Sequence, residues 1–216
     1  MSLLRPVPGW PARLSAKATP TSPRLVLRPL KSSDAAAWRE VRRRNAAWLV
    51  PWDASVPPGA DQRPMSFGSL VRRLRRSASQ GATLPFAIEV DGRFAGQLTV
   101  NNIVRGSAQF ASIGYWIDRD VAGHGLMPRA VAMAVDHCFG VVGLHRIEVA
   151  IRPENSNSLR VVEKLDLHEV GYAPRFLHID GEWRDHRIFA ITAEDCPHGL
   201  VDRLTRTQSE PHESQQ

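Results

Sequence analysis

Cysteine is nearly absent from this sequence, whose 216 residues contain only Cys138 and Cys196. Two cysteines cannot form the disulfide framework of a small secreted protein, so we expect a reducing compartment, the cytoplasm. No apolar run reaches the roughly 20 residues that a membrane span requires. The first 20 residues also lack the apolar core of a signal peptide. For want of such a run we expect no membrane partner. The eight histidines show no metal-ligand spacing, so we expect no metal site.

Basic residues outnumber acidic ones, which gives a formal net charge of +6. Such a field favours polyanions such as the ribosome or a phosphorylated cofactor, although it also serves solubility alone. No aromatic-basic nucleic-acid motif is recognisable, so no specific DNA partner is expected. Residues 1–22 are basic and rich in Pro, Ser and Thr. We expect a flexible or loosely docked arm over 1–22, a single domain over 23–202, and a disordered polar tail over 203–216.

The hydrophobic pattern predicts one mixed α/β domain. Residues 24–30 alternate as a strand, and a helix follows to about Asn45. A second helix over about 67–80 carries four arginines, and the proline-rich segment 46–59 between the two helices reads as a loop. Turn residues predict hairpins at Asp91–Gly92 and near Asp180.

A loop with two glycines, RDVAGHGLMPRA (residues 119–130), lies between a predicted strand and a predicted helix. A Walker loop needs Gly-Lys-Ser/Thr, whereas here Met127 and Pro128 follow Gly125-Leu126. A dinucleotide fingerprint needs a third glycine, and Pro128 stands at that position. Gly123 and Gly125 can nevertheless point backbone N–H groups into one concavity at a helix start, where anions bind. The loop is therefore a candidate phosphate cradle or a structural turn.

This loop and its neighbours resemble the GCN5-related N-acetyltransferases (GNAT). The family loop reads Gln/Arg-x-x-Gly-x-Gly/Ala, and alignment on Gly125 places Ala122 and Met127 at its two ends as departures. Asn155 and Ser158 in NSNS match the family's Asn-x-x-Ser helix start. WLVPWD, NNIVRGSAQFASIGYWI, GHGLM and IDGEWRDH are similar to the RimJ branch of the RimJ/RimL group, which acetylates the N-terminal α-amine of ribosomal proteins.

The resemblance implies a fold and a cofactor. The fold would be a strongly twisted, mostly antiparallel seven-stranded sheet, splayed at the cofactor site and flanked by helices. Acetyl-CoA would be the donor, its pyrophosphate on the loop amides and its pantetheine along residues 115–117 like an added strand. The implied cofactor-binding residues are Tyr115, Trp116, Ile117, Gly123, His124, Gly125, Leu126, Met127, Asn155 and Ser158.

The implied chemistry is direct attack of a neutral amine on the thioester. Ser158 is the candidate acid for the leaving thiolate, although it can equally be a helix-surface serine. Many relatives carry a tyrosine seven residues after the asparagine and a glutamate five before it, whereas this chain has Val162 and Ala150. The base stays open among Glu148, Tyr115, Glu182, Asp185, His178 and a water relay. On the acceptor side we expect Trp48, Trp52, Trp183 and Asp185.

The sequence is consistent with three functions. The first is acetylation of a protein N-terminal α-amine, with a ribosomal protein as the candidate substrate. The second is acetylation of a small amine such as a polyamine or an antibiotic; such a cation needs an acidic pocket, and the acceptor loop offers only Asp53 and Asp61. The third is a non-catalytic CoA-binding or ribosome-binding factor, suggested by the basic segments and the missing tyrosine and glutamate.

Overall fold

The computed structural model describes residues 7–18, 22–60 and 65–209. Arm residues 1–6 and 19–21, Asp61 and the tail from 210 lie outside the described residues. The strands are β1 (Leu14–Ala16), β2 (Leu25–Pro29), β3 (Leu84–Val90), β4 (Arg93–Val104), β5 (Phe110–Ile117), β6 (Arg146–Ile151), β7 (His168–Ile179) and β8 (Glu182–Thr192). The helices are α1 (Ala35–Arg44), α2 (Ala46–Leu49), α3 (Phe67–Ser79), α4 (Leu126–His137), α5 (Ser156–Lys164) and α6 (Leu200–Ser209).

The strands form one sheet in the order β1-β2-β3-β4-β5-β6-β8-β7. Only the β5–β6 pair is parallel among the described strands. The predicted mixed α/β, mostly antiparallel fold is therefore confirmed. The predicted count of seven strands is wrong, because β1 adds an eighth at one edge. The segment 46–59, predicted as a loop, also begins with α2 and a 3-10 turn at Val50–Trp52.

The eighth strand comes from the segment expected to be a flexible or loosely docked arm. β1 pairs with β2, and the Trp10 ring packs edge-on against Phe86 with 5.4 Å between ring centroids. The carbonyl of Gly9 accepts a hydrogen bond from His137 Nε2 at 2.8 Å. Over residues 7–18 the arm is thus docked on the domain, because burial of its apolar side chains offsets the entropy of ordering it.

The predicted tail is also ordered up to its last described residue. α6 occupies Leu200–Ser209, whereas disorder was expected from residue 203. Asp136 accepts hydrogen bonds from the backbone N–H groups of Leu200 and Val201, which caps the start of this helix. Leu200 and Leu204 are buried in the core. The expectation of disorder is therefore wrong for residues 203–209, because the cap and the buried leucines hold the helix to the domain.

Helices cover both faces of the sheet. Phe86 and Ile88 in β3 face the large core that contains α4 and parts of α5 and α6. Ala87 points to the opposite face, where it packs with Phe67 and Val71 of α3. Successive strand residues alternate between faces, so one strand supports both cores. Among the described residues, no helix is both long enough and apolar enough to cross a membrane.

The sheet opens in its middle, between β5 and β6. These strands pair only over residues 110–112 and 146–148, whereas β5 stays paired with β4 up to Ile117 and β6 stays paired with β8 up to Ile151. Beyond Ser112 the two strands therefore diverge, as predicted for the splayed sheet. The second half of β5 consequently exposes backbone groups along one side.

Candidate active site

A cavity of about 590 Å³ occupies the opening between β5 and the starts of α4 and α5. Its walls include β5 residues 114–117, the glycine loop, the start of α5 and the indoles of Trp48 and Trp52. Of the residues predicted to bind the cofactor, all but His124 line it. His124 is exposed in the loop between the two glycines.

The opened side of β5 offers hydrogen-bonding groups to an extended chain. A Cβ added to Gly96 of β4 would lie 2.3 Å from the carbonyl oxygen of Trp116, so this carbonyl faces β4. Backbone groups alternate along a strand, so those of Tyr115 and Ile117 face the cavity. The indole Nε1 of Trp48 already donates to the Ile117 carbonyl at 3.2 Å. The N–H and C=O of Tyr115 and the N–H of Ile117 are left for an added strand.

The glycine loop presents a row of N–H groups to the cavity. Gly123 (φ +84°) and Gly125 (φ +72°) have left-handed backbones, and a Cβ added at either would meet nothing within 4 Å. Among the described residues, no group accepts from the N–H of Gly123, His124 or Gly125. The first turn of α4 adds the N–H groups of Leu126 and Met127. Together with the helix dipole, these amides form a candidate anion site.

Three cationic side chains share the cavity with this candidate anion site. Arg119, Arg160 and Lys164 all line the cavity, and the Arg119 guanidinium lies 5.8 Å from the centre of the Trp48 ring. Arg160 and Lys164 were not among the site residues predicted from the sequence. Their spacing of four residues along a helix that starts at an Asn-x-x-Ser motif is the signal that points to them, since such residues share one helix face.

The last residue before the glycine loop is held by the end of α1. Buried Asp118 accepts hydrogen bonds from the guanidinium of Arg44 and from Asn45 Nδ2, the latter at 2.8 Å. Asn45 Oδ1 in turn accepts from the N–H of Arg119 at 3.0 Å. Burial opposes the charge on Asp118, but the hydrogen bonds from Arg44 and Asn45 outweigh it and lower the pKa of this carboxyl.

Replacing Asp118 by Asn should destabilise the protein by about 1–3 kcal/mol at pH 7, because it leaves buried hydrogen-bonding groups without their partner. A lowered folded-state pKa contributes stability above the unfolded pKa, and that stability is lost as the pH falls through the folded pKa. The difference in free energy of unfolding between wild type and variant should therefore shrink below about pH 4. Urea unfolding at pH 7 and at acid pH measures it, with exposed Asp120→Asn as the control. Equal free energies of unfolding for the wild type and the Asp118→Asn variant at pH 7 would contradict the role given to the hydrogen bonds of Asp118.

Asn155 and Ser158 form the start of α5 beside Tyr115. Asn155 Oδ1 accepts from the N–H of Ser158 at 3.1 Å and so caps the helix. The hydroxyl of Tyr115 lies 3.5 Å from the Ser158 carbonyl oxygen, at the limit of a hydrogen bond. Burial raises the pKa of the Tyr115 phenol well above its usual value. Tyr115, one of the base candidates, therefore stays protonated and is suited to donate a hydrogen bond rather than to accept a proton.

A second cavity of about 190 Å³ lies on the β6 side of the opening. The two cavities share Trp52, Gly114, Tyr115, Asn155 and Ser158 as lining residues. A donor in the first cavity and an acceptor in the second would thus meet at Tyr115 and Ser158.

Two of the four predicted acceptor-side residues lie at the cavities. Trp48 lines the first cavity and Trp52 lines both. Trp183 is 54% exposed, and its ring packs against His178. Asp185 accepts hydrogen bonds from the Tyr172 hydroxyl at 2.6 Å and from a backbone N–H of β7 at 2.7 Å. Neither Trp183 nor Asp185 lines either cavity.

The other base candidates are paired away from the opening. Glu148 accepts from Arg146 Nε at 2.8 Å, and Glu182 pairs with Arg184 at 2.9 Å. His178 Nδ1 lies 2.9 Å from the hydroxyl of Ser55. None of these three side chains lines either cavity. The second cavity is lined instead by His186, the last residue of the IDGEWRDH segment, which was not predicted as a site residue.

Metal-ligating residues do not gather in this site. Within residues 7–18, 22–60 and 65–209, no group of three or more His, Cys, Asp or Glu side chains is placed to hold a metal ion.

Comparison with known proteins places this geometry in a family. An acetyltransferase (GNAT) domain model matches residues 24–168. A solved structure of Mycobacterium smegmatis RimJ in complex with CoA-disulfide is 40% identical, with a TM-score of 0.85 over 93% of this chain and 97% of that chain. The probable N-acetyltransferase YjcK of Bacillus subtilis (strain 168) is 41% identical over 105 residues, 49% of this chain and 58% of that protein, less than two thirds of its length. The [Ribosomal protein uS5]-alanine N-acetyltransferase of Escherichia coli (strain K12) is 29% identical over 181 residues, 83% of this chain and 93% of that protein. The chain belongs to the GNAT family of acetyltransferases and is of the RimJ/RimL type.

Proposed function

We propose that this protein transfers the acetyl group of acetyl-CoA to the N-terminal α-amine of a ribosomal protein. The observation that carries the proposal is the pair of cavities, one with an anion site and an open strand edge, which meet at Tyr115 and Ser158. The similarity to a RimJ structure and to a ribosomal-protein alanine acetyltransferase supports the choice of acceptor.

The glycine loop and β5 fit the two ends of acetyl-CoA. The amides of residues 123–127 would hold the pyrophosphate, with Arg119, Arg160 and Lys164 adding charge. The free backbone groups of Tyr115 and Ile117 would pair with the amides of the pantetheine arm. When bound, acetyl-CoA supplies an acyl carbon already activated as a thioester.

The residues where the cavities meet would serve the transfer. Of the N–H groups of Tyr115 and Ile117, the one that the pantetheine arm leaves free would donate to an oxyanion on the opened side of β5. The hydroxyl of Ser158 would protonate the leaving sulfur. The Tyr115 phenol stays neutral beside it and would help to position the start of α5 through the Ser158 carbonyl.

Charge in the cavities favours a peptide over a polyamine. Among the described residues that line them, Asp53 is the single carboxylate, and its charge is already paired with Arg42. A polycation would need free carboxylates to replace its lost hydration. A peptide end carries one cationic amine, which must become neutral before it reacts, so it needs no acidic pocket.

The basic face of α3 is the candidate contact with the ribosome. Arg72, Arg73, Arg75 and Arg76 are all exposed on this helix, which lies on the sheet face opposite α4. Phosphate-rich RNA would attract such a face. A ribosomal substrate would also place the enzyme in the cytoplasm.

Incubation with acetyl-CoA and unacetylated ribosomal proteins, followed by mass spectrometry of intact proteins and of their N-terminal peptides, tests the proposal. We expect one ribosomal protein to gain a single acetyl group at its N-terminal α-amine. Acetylation confined to lysine side chains, or no acetylation of any ribosomal protein, would contradict the proposed substrate.

A further inference from the structure

His186 lies in β8, where strand alternation directs its side chain to the opening. Ala150 of β6 is paired with Ile188 of β8, so these two residues share a sheet face. His186 is two residues before Ile188 and therefore lies on that same face. Both Ala150 and His186 line the second cavity, and the small Ala150 side chain leaves room for the imidazole.

The hydrogen bonds of His186 define which nitrogen holds its lone pair. Nδ1 lies 2.9 Å from the backbone carbonyl oxygen of Arg184. A carbonyl can only accept, so Nδ1 carries the hydrogen and the neutral ring has its lone pair on Nε2. Within the part of the chain that the structure describes, no group hydrogen-bonds to Nε2. The Phe176 ring packs edge-on against the imidazole, with 5.8 Å between the ring centroids, and helps to fix its plane.

Burial favours the neutral form of this imidazole. His186 is only 3% exposed, and its burial lowers its pKa below the usual value. The charged groups around it are Arg152 at the end of β6, Glu154 in the turn after β6, and Asp185, its neighbour in β8. Arg152 lowers the pKa further, whereas Asp185, Glu154 and the bond to the Arg184 carbonyl oppose the shift without reversing it. At pH 7 the ring is therefore able to accept a proton.

We propose that His186 is the general base of the transfer and takes the proton of the acceptor amine on Nε2, an assignment that rests on the proposed function. The cationic amine gives one proton to Nε2, from which it passes to solvent. The nitrogen lone pair then forms the C–N bond as the C–S bond breaks. The second N–H proton ends on the CoA sulfur through the Ser158 hydroxyl, which gives its own proton to sulfur and regains one from nitrogen.

Replacing His186 by Gln keeps a polar side chain of similar size but removes the base. We expect kcat on an Ala-starting peptide to fall about a hundredfold or more at pH 7, while the affinity for acetyl-CoA in calorimetry stays within about twofold. The acid limb of the wild-type kcat profile should disappear in the variant. The fall in kcat should become smaller above about pH 8, where the α-amine reaches the enzyme already neutral.

His178→Gln is the matched control, since His178 is also buried, lies on the adjacent strand and is bonded to Ser55 outside the cavities. It should retain wild-type kcat and pH profile. A His186→Gln variant that keeps both kcat and the acid limb would overturn the assignment.

A measurement on the wild-type protein covers the case in which His186→Gln does not fold. Nitrogen-15 NMR of its histidine rings should show His186 with the hydrogen on Nδ1 at pH 7, and the opposite tautomer would exclude Nε2 as base. Absence of wild-type turnover on every amine, with acetyl-CoA still bound, would contradict the proposed function and the base with it. Turnover that does not depend on His186 would contradict the base alone.

Discussion

Replacing Gly125 by Trp should weaken acetyl-CoA binding at least about a hundredfold. The new side chain would start in open space at the anion site, since a Cβ there meets nothing within 4 Å. It would displace the pyrophosphate from the loop amides. The loss of two charge-assisted hydrogen bonds at about 1.5–3 kcal/mol each already exceeds the roughly 2.8 kcal/mol that a hundredfold change requires.

Gly92→Trp is the matched control for this substitution. Gly92 also has a left-handed backbone (φ +81°) and open space around its Cβ, but it lies in the turn between β3 and β4 and lines neither cavity. Both variants carry a similar backbone strain of about 1–2 kcal/mol. Calorimetry should show normal acetyl-CoA affinity for Gly92→Trp and weakened affinity for Gly125→Trp. Wild-type affinity in Gly125→Trp would mean that the loop does not hold the phosphates.

Ser158→Ala should lower kcat by about a hundredfold, within the range found when a positioned proton donor is removed. The leaving sulfur would then have to depart without a donor. The affinity for acetyl-CoA should change little, since Asn155 caps α5 through the backbone N–H of residue 158, which alanine keeps. Steady-state kinetics and calorimetry together separate the two effects.

Ser156→Ala provides the comparison, because Ser156 starts the same helix but is exposed and lines neither cavity. It should show wild-type kcat. If Ser158→Ala keeps wild-type kcat as well, its hydroxyl has no part in the chemistry, and the proton must reach the sulfur from another group or from water.

The elements that local sequence specifies were predicted well. The turn residues Asp91 and Gly92 have the positive φ angles that a tight hairpin requires, and the strands on either side pair as expected. Helix α3 begins at Phe67 and ends at Ser79, within one residue of its predicted end. Such features depend on the period of apolar residues and on turn chemistry, both of which are visible in one sequence.

The elements that were missed depend on distant partners. β1 has three residues in a Pro- and Ser-rich segment, and it is held by pairing with β2 and by Trp10 against Phe86. α6 depends on Asp136, 64 residues earlier in the chain, for the bond to its first N–H. Local propensity carries no trace of such contacts, so composition alone suggested a flexible or loosely docked arm at one end and a disordered tail at the other.

The acceptor side shows how one residue of register changes a site. Asp185 was predicted there, yet it bonds to β7 while its neighbour His186 lines the second cavity. Adjacent strand residues face opposite sides of a sheet, so the choice between them needs the register. That register follows from the placement of β8 between β6 and β7, which the order of strands along the chain does not reveal.

The most direct test of the account is thiol release from acetyl-CoA with short peptides that begin with Ala or Ser. Each peptide is paired with a version whose α-amine is blocked, and spermidine and an aminoglycoside are run alongside. The proposed function predicts turnover on free peptides and none on blocked ones. Turnover on the small amines alone, or equal turnover on blocked and free peptides, would contradict acetylation of a protein N-terminus.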